Sequence, residues 1–500
     1  MSVVVREEKS PPHGLTLGEL VRALARFEPQ VVGSDAVRLL DVRHDSRAVS
    51  SGDLFVARGR GAGFIHQAVE QGAAAVMIEQ GQPLPDVGVP VLSVSDVRLA
   101  LSFAAEAVWE RPTQRIGVVG ITGTNGKTTS SYLVQHAIQS AGGRAARLGT
   151  LGFAFEGQED TASLTTPEGD EVSRRAAAVA RAGGTHMVME ASSHALTLGR
   201  VEAVHFRVAA FTNLTQDHLD FHGSMDAYAQ AKLRLFTELL PEASVVNVDD
   251  AFGQEILRRA SGRVLAVGRG GHDVTPLGVS VDARGLHGRI RVLDREVTLE
   301  SRLVGEHNLD NVLLSLGIVA ALGLDVDAAA AGFAGAPEVP GRLERCDAPE
   351  DDVLVVVDYA HTPDALERAL RAVRSLGSGQ VMCVFGCGGD RDPDKRPKMG
   401  DAVGRLASRA VITNDNPRSE EPAVIARAIE AGLRPHGIDY EVELNRAAAI
   451  ERAVLAAAPG DVILIAGKGH EPYQIIGATR RDFDDRVEAK RALALRRGAG

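Results

Sequence analysis

An α/β protein of three domains is predicted, on three observations. Its 500 residues exceed one ordinary core, with about one domain expected per ~150 residues. Short apolar runs alternate with helical stretches along most of the chain, the pattern of parallel sheets covered on both faces. The pattern breaks near Glu110–Thr113 and again near Pro337–Pro340. The expected parts are a small N-terminal α/β module (1–112), a central parallel-sheet domain (113–338) and a C-terminal doubly wound domain (339–500).

The first part carries strand-like runs and glycine turns in DSRAVSSGDLFVA (Asp45–Ala57), AAAVMIEQG (Ala73–Gly81) and VPVLSV. Glu110-Arg111-Pro112-Thr113 reads as a linker. The second opens with a strand at RIGVVG (Arg115–Gly120), then a glycine-rich turn. A helix follows with Leu133, Ala137, Ile138 and Ala141 on one face, stopped by Gly142-Gly143. HMVMEAS, VAAFTNL and ASVVNV are further strands. In the third part the predicted strands are Val353–Val357, Val381–Phe385, Ala410–Thr413, Glu441–Leu444 and Val462–Ala466. The first helix there lines up Ala365, Leu366, Ala369, Leu370 and Val373.

Composition excludes several classes. Hydrophobic residues at 44% and charged residues at 24% are globular values and rule out a long disordered chain. Lys and Arg number 55 against 66 Asp and Glu, a net charge of −11, so generic binding to nucleic acid or to an anionic membrane has no electrostatic support. Cys346, Cys383 and Cys387 form no disulfide framework and no Cys-x-x-Cys zinc pair. The most apolar stretch, Val312–Leu324, falls short of the ~18–20 residues of a membrane span and reads as a buried helix. Charged residues Arg6–Lys9 stand where a signal peptide needs its apolar core, so residues 1–14 read as a frayed leader. A cytoplasmic monomer is expected.

The strongest single motif is GTNGKTT (Gly123–Thr129), between the predicted strand and helix. Glycines let backbone N–H groups approach a triphosphate, and a helix N-terminus adds positive potential. Lys127 would neutralise the β/γ oxygens and Thr128 would ligate Mg²⁺. The strict phosphate-loop spacing fails, because Ile121 stands at the first glycine position. Bound ATP leaves hydrolysis, phosphoryl transfer and ligation open.

Further motifs narrow this. MEASSHAL (Met189–Leu196), FTNLTQDHLDFHG (Phe211–Gly223), AKLRLF (Ala231–Phe236), GEHNLDN (Gly305–Asn311), GRLE (Gly341–Glu344) and DYAHTPDAL (Asp358–Leu366) occur in that order, followed by FGCGGDRD, DNPRSEEP and AGKGHE. With them the chain resembles the Mur ligase family over all three parts. DSRAVSSGDLFVA, DNPR and GKGHE are most similar to members that add the third amino acid to UDP-N-acetylmuramoyl-L-alanyl-D-glutamate. The resemblance implies a UDP-sugar-binding first domain, a P-loop ATPase middle domain and a Rossmann-like third domain for the incoming amino acid. It also implies a cell-wall precursor ligase that passes through an acyl phosphate. Such chemistry needs cations around the transferring phosphoryl group and a dry, closed site.

The resemblance assigns residues as well. ATP would meet Gly123, Thr124, Asn125, Gly126, Lys127, Thr128, Thr129, Asn308, Arg342 and Asp358. Mg²⁺ would be held by Thr128, Glu190, His218 and a carbamate formed on Lys232 from CO₂, so that Lys127, Lys232, His218 and Arg342 form the catalytic set. Carbamylation needs the neutral amine, and neutralising a free lysine at pH 7 costs roughly 4–5 kcal/mol. Ser46, Thr165, Thr166, Ser192 and Arg200 match contacts to the UDP-sugar dipeptide; His44 and Leu198 hold such positions but depart from the family's usual residues. Arg391, Asp415, Asn416, Pro417, Arg418, Gly467 and Glu471 would take the amino acid. Arg418 offers a planar fork to a carboxylate, which meso-diaminopimelate carries at its far end and lysine and ornithine lack. Lysine, ornithine, a folylpolyglutamate-synthetase-like ligase and a non-catalytic nucleotide-binding scaffold stand as alternatives. Cys387 reads as a turn residue, with no paired base for a nucleophile.

Overall fold

The computed structural model describes residues 14–161, 164–282 and 284–499. The leader expected before Gly14 lies outside the described residues.

In the N-terminal part, strands Gln30–Val32, Val91–Val94, Ala75–Glu79, Asp53–Val56 and Asp41–Arg43 lie side by side in that order, the first antiparallel and the rest parallel. Helix Val97–Val108 covers one face, its Ala100, Leu101, Ala104 and Val108 buried against Leu54, Val56 and Leu92. The predicted linker is a turn through two left-handed residues, Glu110 (φ 59°) and Arg111 (φ 54°).

The central sheet has eleven strands. Its parallel heart runs Ala145–Gly149, His186–Glu190, Gly117–Thr122, Phe206–Phe211, Ala243–Asn247, Arg263–Val267. Helices Lys127–Ser140 and Glu306–Ala321 pack on one face, and Gly169–Arg181 and Met225–Thr237 on the other. Helix Glu306–Ala321 contains most of the apolar run read as buried, and no described helix is long and apolar enough to cross a membrane. The sheet is more mixed than the alternation suggested. A hairpin, Gly152–Phe155 with Gln158–Asp160, closes one edge, and an antiparallel meander, Val274–Asp282, Gly285–Val292 and Arg295–Ser301, extends the other.

The C-terminal sheet runs Glu344–Arg345, Leu354–Asp358, Val462–Ala466, Val381–Phe385, Arg409–Ile412, Asp439–Val442, parallel apart from the first strand. The strand expected at 441–444 begins two residues earlier, at Asp439. Left-handed Gly437 (φ 66°) turns the chain straight into it, and Asn445 already caps the next helix by accepting from the Ala448 N–H. A hairpin, Tyr473–Ile476 with Thr479–Asp482, and a last helix, Asp485–Ala499, complete the part.

Candidate active site

Strands Gly117–Thr122, His186–Glu190 and Phe206–Phe211 are neighbours, so their C-terminal ends bring Gly123, Ala191 and Thr212 to one edge, where open α/β sheets place ligands. A cleft of about 230 Å³ opens there, lined by Asn125, Lys127, Glu190 and His218 of the central part and by Arg342 and Tyr359 of the C-terminal part. Gly120 belongs to the strand, where a Cβ would meet the Phe206 ring at 2.5 Å. The turn is therefore Gly123–Gly126, and Ile121 is a strand residue. Gly123 (φ 146°) cannot be replaced without collision: a Cβ would stand 1.8 Å from Thr212 Oγ1. The loop is pinned by Thr212 Oγ1 donating to the Asn125 carbonyl (2.6 Å) and by Asn125 N–H donating to Asn213 Oδ1 (3.0 Å). Gly126 (φ 88°) then precedes helix Lys127–Ser140, so loop and helix N-terminus face the cleft together.

Two lysines share this loop. Lys127 Nζ donates to the carbonyls of Gly123 and Thr124, both at 2.8 Å, and Lys232 Nζ donates to the same Gly123 carbonyl at 2.8 Å. Lys232 is 1% exposed and its amine lies 4.2 Å from the centre of the Tyr228 ring. Burial first, then repulsion from Lys127, holds the Lys232 amine well below the ordinary lysine range. Burial also lowers Lys127, with Glu190 and Asp217 opposing.

Glu190 stands across the loop. Thr128 Oγ1 donates to Glu190 Oε2 (3.2 Å), Thr150 Oγ1 to the same oxygen (3.0 Å) and the Thr150 N–H to Oε1 (2.9 Å). Arg342 reaches in from just beyond the second pattern break. Its Nη2 lies 3.2 Å from Thr128 Oγ1 as donor, and its guanidinium stacks 4.4 Å from the Tyr359 ring centre. His218 adopts left-handed backbone (φ 54°), an uncommon state for a non-glycine residue and a sign of local constraint. Its Nε2 is 3.4 Å from Asp217 Oδ2, which also lies 3.8 Å from His361 Nε2 of the C-terminal part. Burial within the cleft disfavours the His218 cation, as do His194 and Lys127, against the pull of Asp217. Among the described residues no three His, Cys, Asp or Glu are grouped to hold a metal. Thr128 and Glu190 nevertheless bring two hard oxygens together, a donor pair that suits Mg²⁺. His218 lines the same cleft and offers an imidazole, a softer donor than Mg²⁺ favours. Asp358 is occupied structurally, accepting from the N–H groups of Leu343 (2.7 Å) and Ala360 (2.8 Å), and Asn308 Nδ2 donates to the Val304 carbonyl (2.8 Å). Both line the cleft, as does Thr129.

The residues matched to the dipeptide divide between two parts. Thr166 Oγ1 donates to the Glu190 carbonyl (2.8 Å) and accepts from the Ser192 N–H (3.0 Å). The Thr165 and Thr150 hydroxyls are hydrogen-bonded at 3.2 Å, with Thr165 the donor because Thr150 gives its proton to Glu190. These hydroxyls therefore adjoin the cleft. Ser192 caps helix Ser193–Thr197, and half-buried Leu198 ends it. Arg200 Nη1 donates to the Thr166 carbonyl (3.2 Å), and its Nε lies 2.9 Å from Glu168 Oε1, an ion pair whose angle is too bent for a hydrogen bond. His44 Nδ1 meets Asp170 Oδ1 at 2.9 Å, Arg58 Nη1 donates to Glu168 (2.8 Å), and Ser46 donates to Gln67 (3.1 Å). His44 and Arg58 thus tie the first part to the second.

The residues assigned to the amino acid meet at the end of the C-terminal sheet. Arg418, also left-handed (φ 52°), is clamped by the hairpin: its N–H donates to the Ile475 carbonyl (3.1 Å) and its carbonyl accepts from Gly477 (2.7 Å). Its Nη1 donates to the Gly389 carbonyl (2.8 Å). Asn416 Nδ2 donates to Glu471 Oε2 (3.0 Å), and the Tyr359 hydroxyl to Glu471 Oε1 (3.4 Å). Asp415 abuts Gly467, where a Cβ would stand 2.5 Å from Asp415 Oδ2. Pro417 accepts at its carbonyl from the Glu420 N–H, and Arg391 reaches toward Asp220 at 4.0 Å. Burial pushes the Cys387 thiol up to about 12, so it is no nucleophile.

The sequence profile of the Mur ligase middle domain matches residues 121–319, and that of the Mur ligase glutamate ligase domain matches 341–469. The UDP-N-acetylmuramoyl-L-alanyl-D-glutamate--2,6-diaminopimelate ligase of Gloeobacter violaceus is 43% identical over 91% of this chain and 94% of its own. The chain belongs to the Mur ligase family. The Geobacter metallireducens ligase of the same name is 42% identical over 92% of this chain and 95% of its own. A solved structure of a ligase of that name superposes with a TM-score of 0.66 at 31% identity, covering 97% of this chain and 99% of the other. A Mycobacterium tuberculosis folylpolyglutamate synthase, at 21% identity and TM-score 0.61, covers 74% of this chain and 92% of its own; that likeness is one of fold alone.

This Mur ligase has the three-domain α/β fold, and its family uses ATP and Mg²⁺. Several residues of its cleft were not anticipated. Tyr359 touches Arg342, His361 and His470 and reaches Glu471, so one side chain spans from nucleotide loop to amino-acid pocket. Asp364, on helix Pro363–Arg374, accepts from Asn125 Nδ2 (3.0 Å), and Lys468 is fully buried beside Asn416 and Glu471. Tyr359 and Asp364 lie inside DYAHTPDAL and Lys468 inside AGKGHE; polar residues within quoted motifs were the available signal.

Proposed function

We propose that this Mur ligase joins meso-2,6-diaminopimelate to UDP-N-acetylmuramoyl-L-alanyl-D-glutamate, splitting ATP to ADP and phosphate, as a cytoplasmic monomer with domains dividing near residues 112 and 338. The observation that carries the reading is Arg418, fixed in DNPR by the hairpin with its fork beside Asn416, in a chain whose relatives bear the diaminopimelate ligase name. A carboxylate resists attack by an amine, so the acceptor acid is first phosphorylated by ATP and the acyl phosphate is then displaced by the amine. The loop N–H groups and helix N-terminus hold the phosphates. Lys127 turns from its own loop carbonyls toward the β/γ oxygens, and Arg342 meets the transferring group from the C-terminal side. Thr128, Glu190 and His218 would hold Mg²⁺, which supplies charge neutralisation to the triphosphate.

Burial of Lys232 supports its carbamylation: the site has already depressed the ammonium, so the neutral amine can add CO₂ and release one proton. Thr165, Thr166, Ser192, Leu198 and Arg200, with His44 and Ser46 from the first domain, would hold the UDP-sugar dipeptide. Arg418 and Arg391 would take the distal carboxylate, and Asp415 and Glu471 the ammonium groups, within a wall made by Asn416, Pro417 and Gly467.

The test is a panel of diaminopimelate, lysine and ornithine with the muramoyl dipeptide and ATP, read by phosphate release and product mass. Product from diaminopimelate alone, with phosphate release requiring both dipeptide and amino acid, is expected. Turnover with lysine or ornithine instead overturns the assignment, and nucleotide binding without turnover points to a scaffold.

A further inference from the structure

The ammonium of Lys468 is buried at the back of the pocket assigned to the diamino acid, and the mechanism above does not use it. The side chain is 0% exposed, two residues beyond the buried strand Val462–Ala466. Its Nζ lies 3.3 Å from Asn416 Oδ1 and 3.4 Å from Glu471 Oε2, with the Tyr473 ring centre at 5.4 Å. The orientation of Asn416 follows from its neighbours: Oδ1 accepts from the Ile475 N–H (2.9 Å), so Nδ2 must face Glu471, to which it donates at 3.0 Å. Glu471 Oε2 is therefore held by an amide and a buried cation, while Oε1 is turned toward Tyr359 and the cleft.

We propose that Lys468 is a positioning residue for the incoming diamino acid, acting through Glu471 and Asn416. Two carboxylates, Asp415 and Glu471, stand in the pocket assigned to the diamino acid, and their negative charges repel one another. A fixed cation behind Glu471 offsets that repulsion and aims the free oxygen at the substrate ammonium. Deep burial lets it do so without being seen by bulk water or competing for the substrate's own carboxylate, which is left to the arginines.

This inference rests on the assignment of the pocket to the diamino acid, and the experiment separates the two. Steady-state kinetics on the full chain would compare Lys468→Met, Lys468→Arg, Glu471→Gln, Lys468→Met combined with Glu471→Gln, and Arg418→Ala, varying diaminopimelate and ATP independently. Lys468→Met is expected to raise KM for diaminopimelate about tenfold or more, the scale of a lost charge-assisted hydrogen bond, and to leave KM for ATP within about twofold. Lys468→Arg should recover much of the loss, and in the Glu471→Gln background Lys468→Met should add less than about twofold. An unchanged KM in Lys468→Met, or the same full loss in the Glu471→Gln background, overturns the inference. If Arg418→Ala and Glu471→Gln also leave KM unchanged, it is the pocket assignment that fails. Where the Met variant does not fold, Lys468→Gln, which keeps a donor without charge, is read against the same outcomes.

Discussion

Lys232 shows how burial and chemistry meet in one side chain. It lies four residues after Tyr228 and four before Phe236, on the buried stripe of helix Met225–Thr237. A lysine on that stripe was the signal within AYAQAKLRLF; read singly, the residue looks solvated, and only its place among buried neighbours says otherwise. The folded chain favours the neutral amine, whereas the unfolded chain holds the proton up to about pH 10.4. The unfolded state thus binds more protons below that pH, and stability is lost as pH falls from there toward the depressed folded value. Lys232→Met is therefore expected to raise the melting temperature of the apo protein at pH 7 in CO₂-free buffer while lowering kcat by about a hundredfold or more. A lower melting temperature contradicts the burial argument, and retained kcat the catalytic one. The carbamate itself is tested by intact mass under CO₂: wild type gains one CO₂ and Lys232→Met does not. Arg342→Lys keeps a charge but loses the fork at Thr128 and the stack on Tyr359. A fall in kcat of about tenfold or more with little change in KM for the dipeptide is expected from steady-state assays.

The elements legible in the sequence were those with strong local signals. Strands Val381–Phe385 and Val462–Ala466 appear as read because each is a fully buried apolar run, and helix Pro363–Arg374 shows its apolar face plainly. The meander Val274–Ser301 and the hairpin Tyr473–Asp482 were not legible as strands. In the meander, isolated apolar residues such as Leu286, Ile290, Val297 and Leu299 reach the core between more exposed glycine, polar and charged residues. The second strand of the hairpin is polar and exposed, so pairing with neighbouring strands, rather than a continuous apolar run, marks these segments as sheet. Yet that hairpin clamps Arg418, so the pocket's geometry could not be read before its fold was known. The last helix, Asp485–Ala499, is tied down by a fully buried ion pair: Arg446 Nε and Nη2 each donate to an Asp485 oxygen at 2.7 Å. Arg446 also donates to the carbonyls of Asn414 and Ala466, which flank the amino-acid pocket. Asp485→Ala leaves a buried guanidinium without its anion and is expected to destabilise the fold by about 3–5 kcal/mol in denaturant melts. Substituting both partners with apolar residues should cost much less; equal losses would contradict the pairing argument.

Across the whole molecule, the cleft is assembled by contacts between domains. Asn125 to Asp364 and Arg342 to Thr128 bridge the phosphate loop to the C-terminal side, while His44 to Asp170 and Arg58 to Glu168 bridge the first part to the second. The cleft is lined by the central and C-terminal parts, with the first part attached alongside. Which side chains span the joints was not readable, because Asn125, Thr128, Arg342 and Asp364 stand in motifs that show no partner, and His44, Arg58, Glu168 and Asp170 stand outside any motif. Asp364→Ala cuts one strut without removing a phosphate-binding group, and a rise in KM for ATP of about two- to tenfold is expected. An unchanged KM would show that the strut is incidental. The central claim is that these domains converge so that a phosphoryl group activates the acceptor acid before the amine arrives. It is tested most directly with dipeptide whose reacting carboxylate carries ¹⁸O. One labelled oxygen in the released phosphate for each amide formed is predicted; unlabelled phosphate, or AMP and pyrophosphate as products, would contradict it.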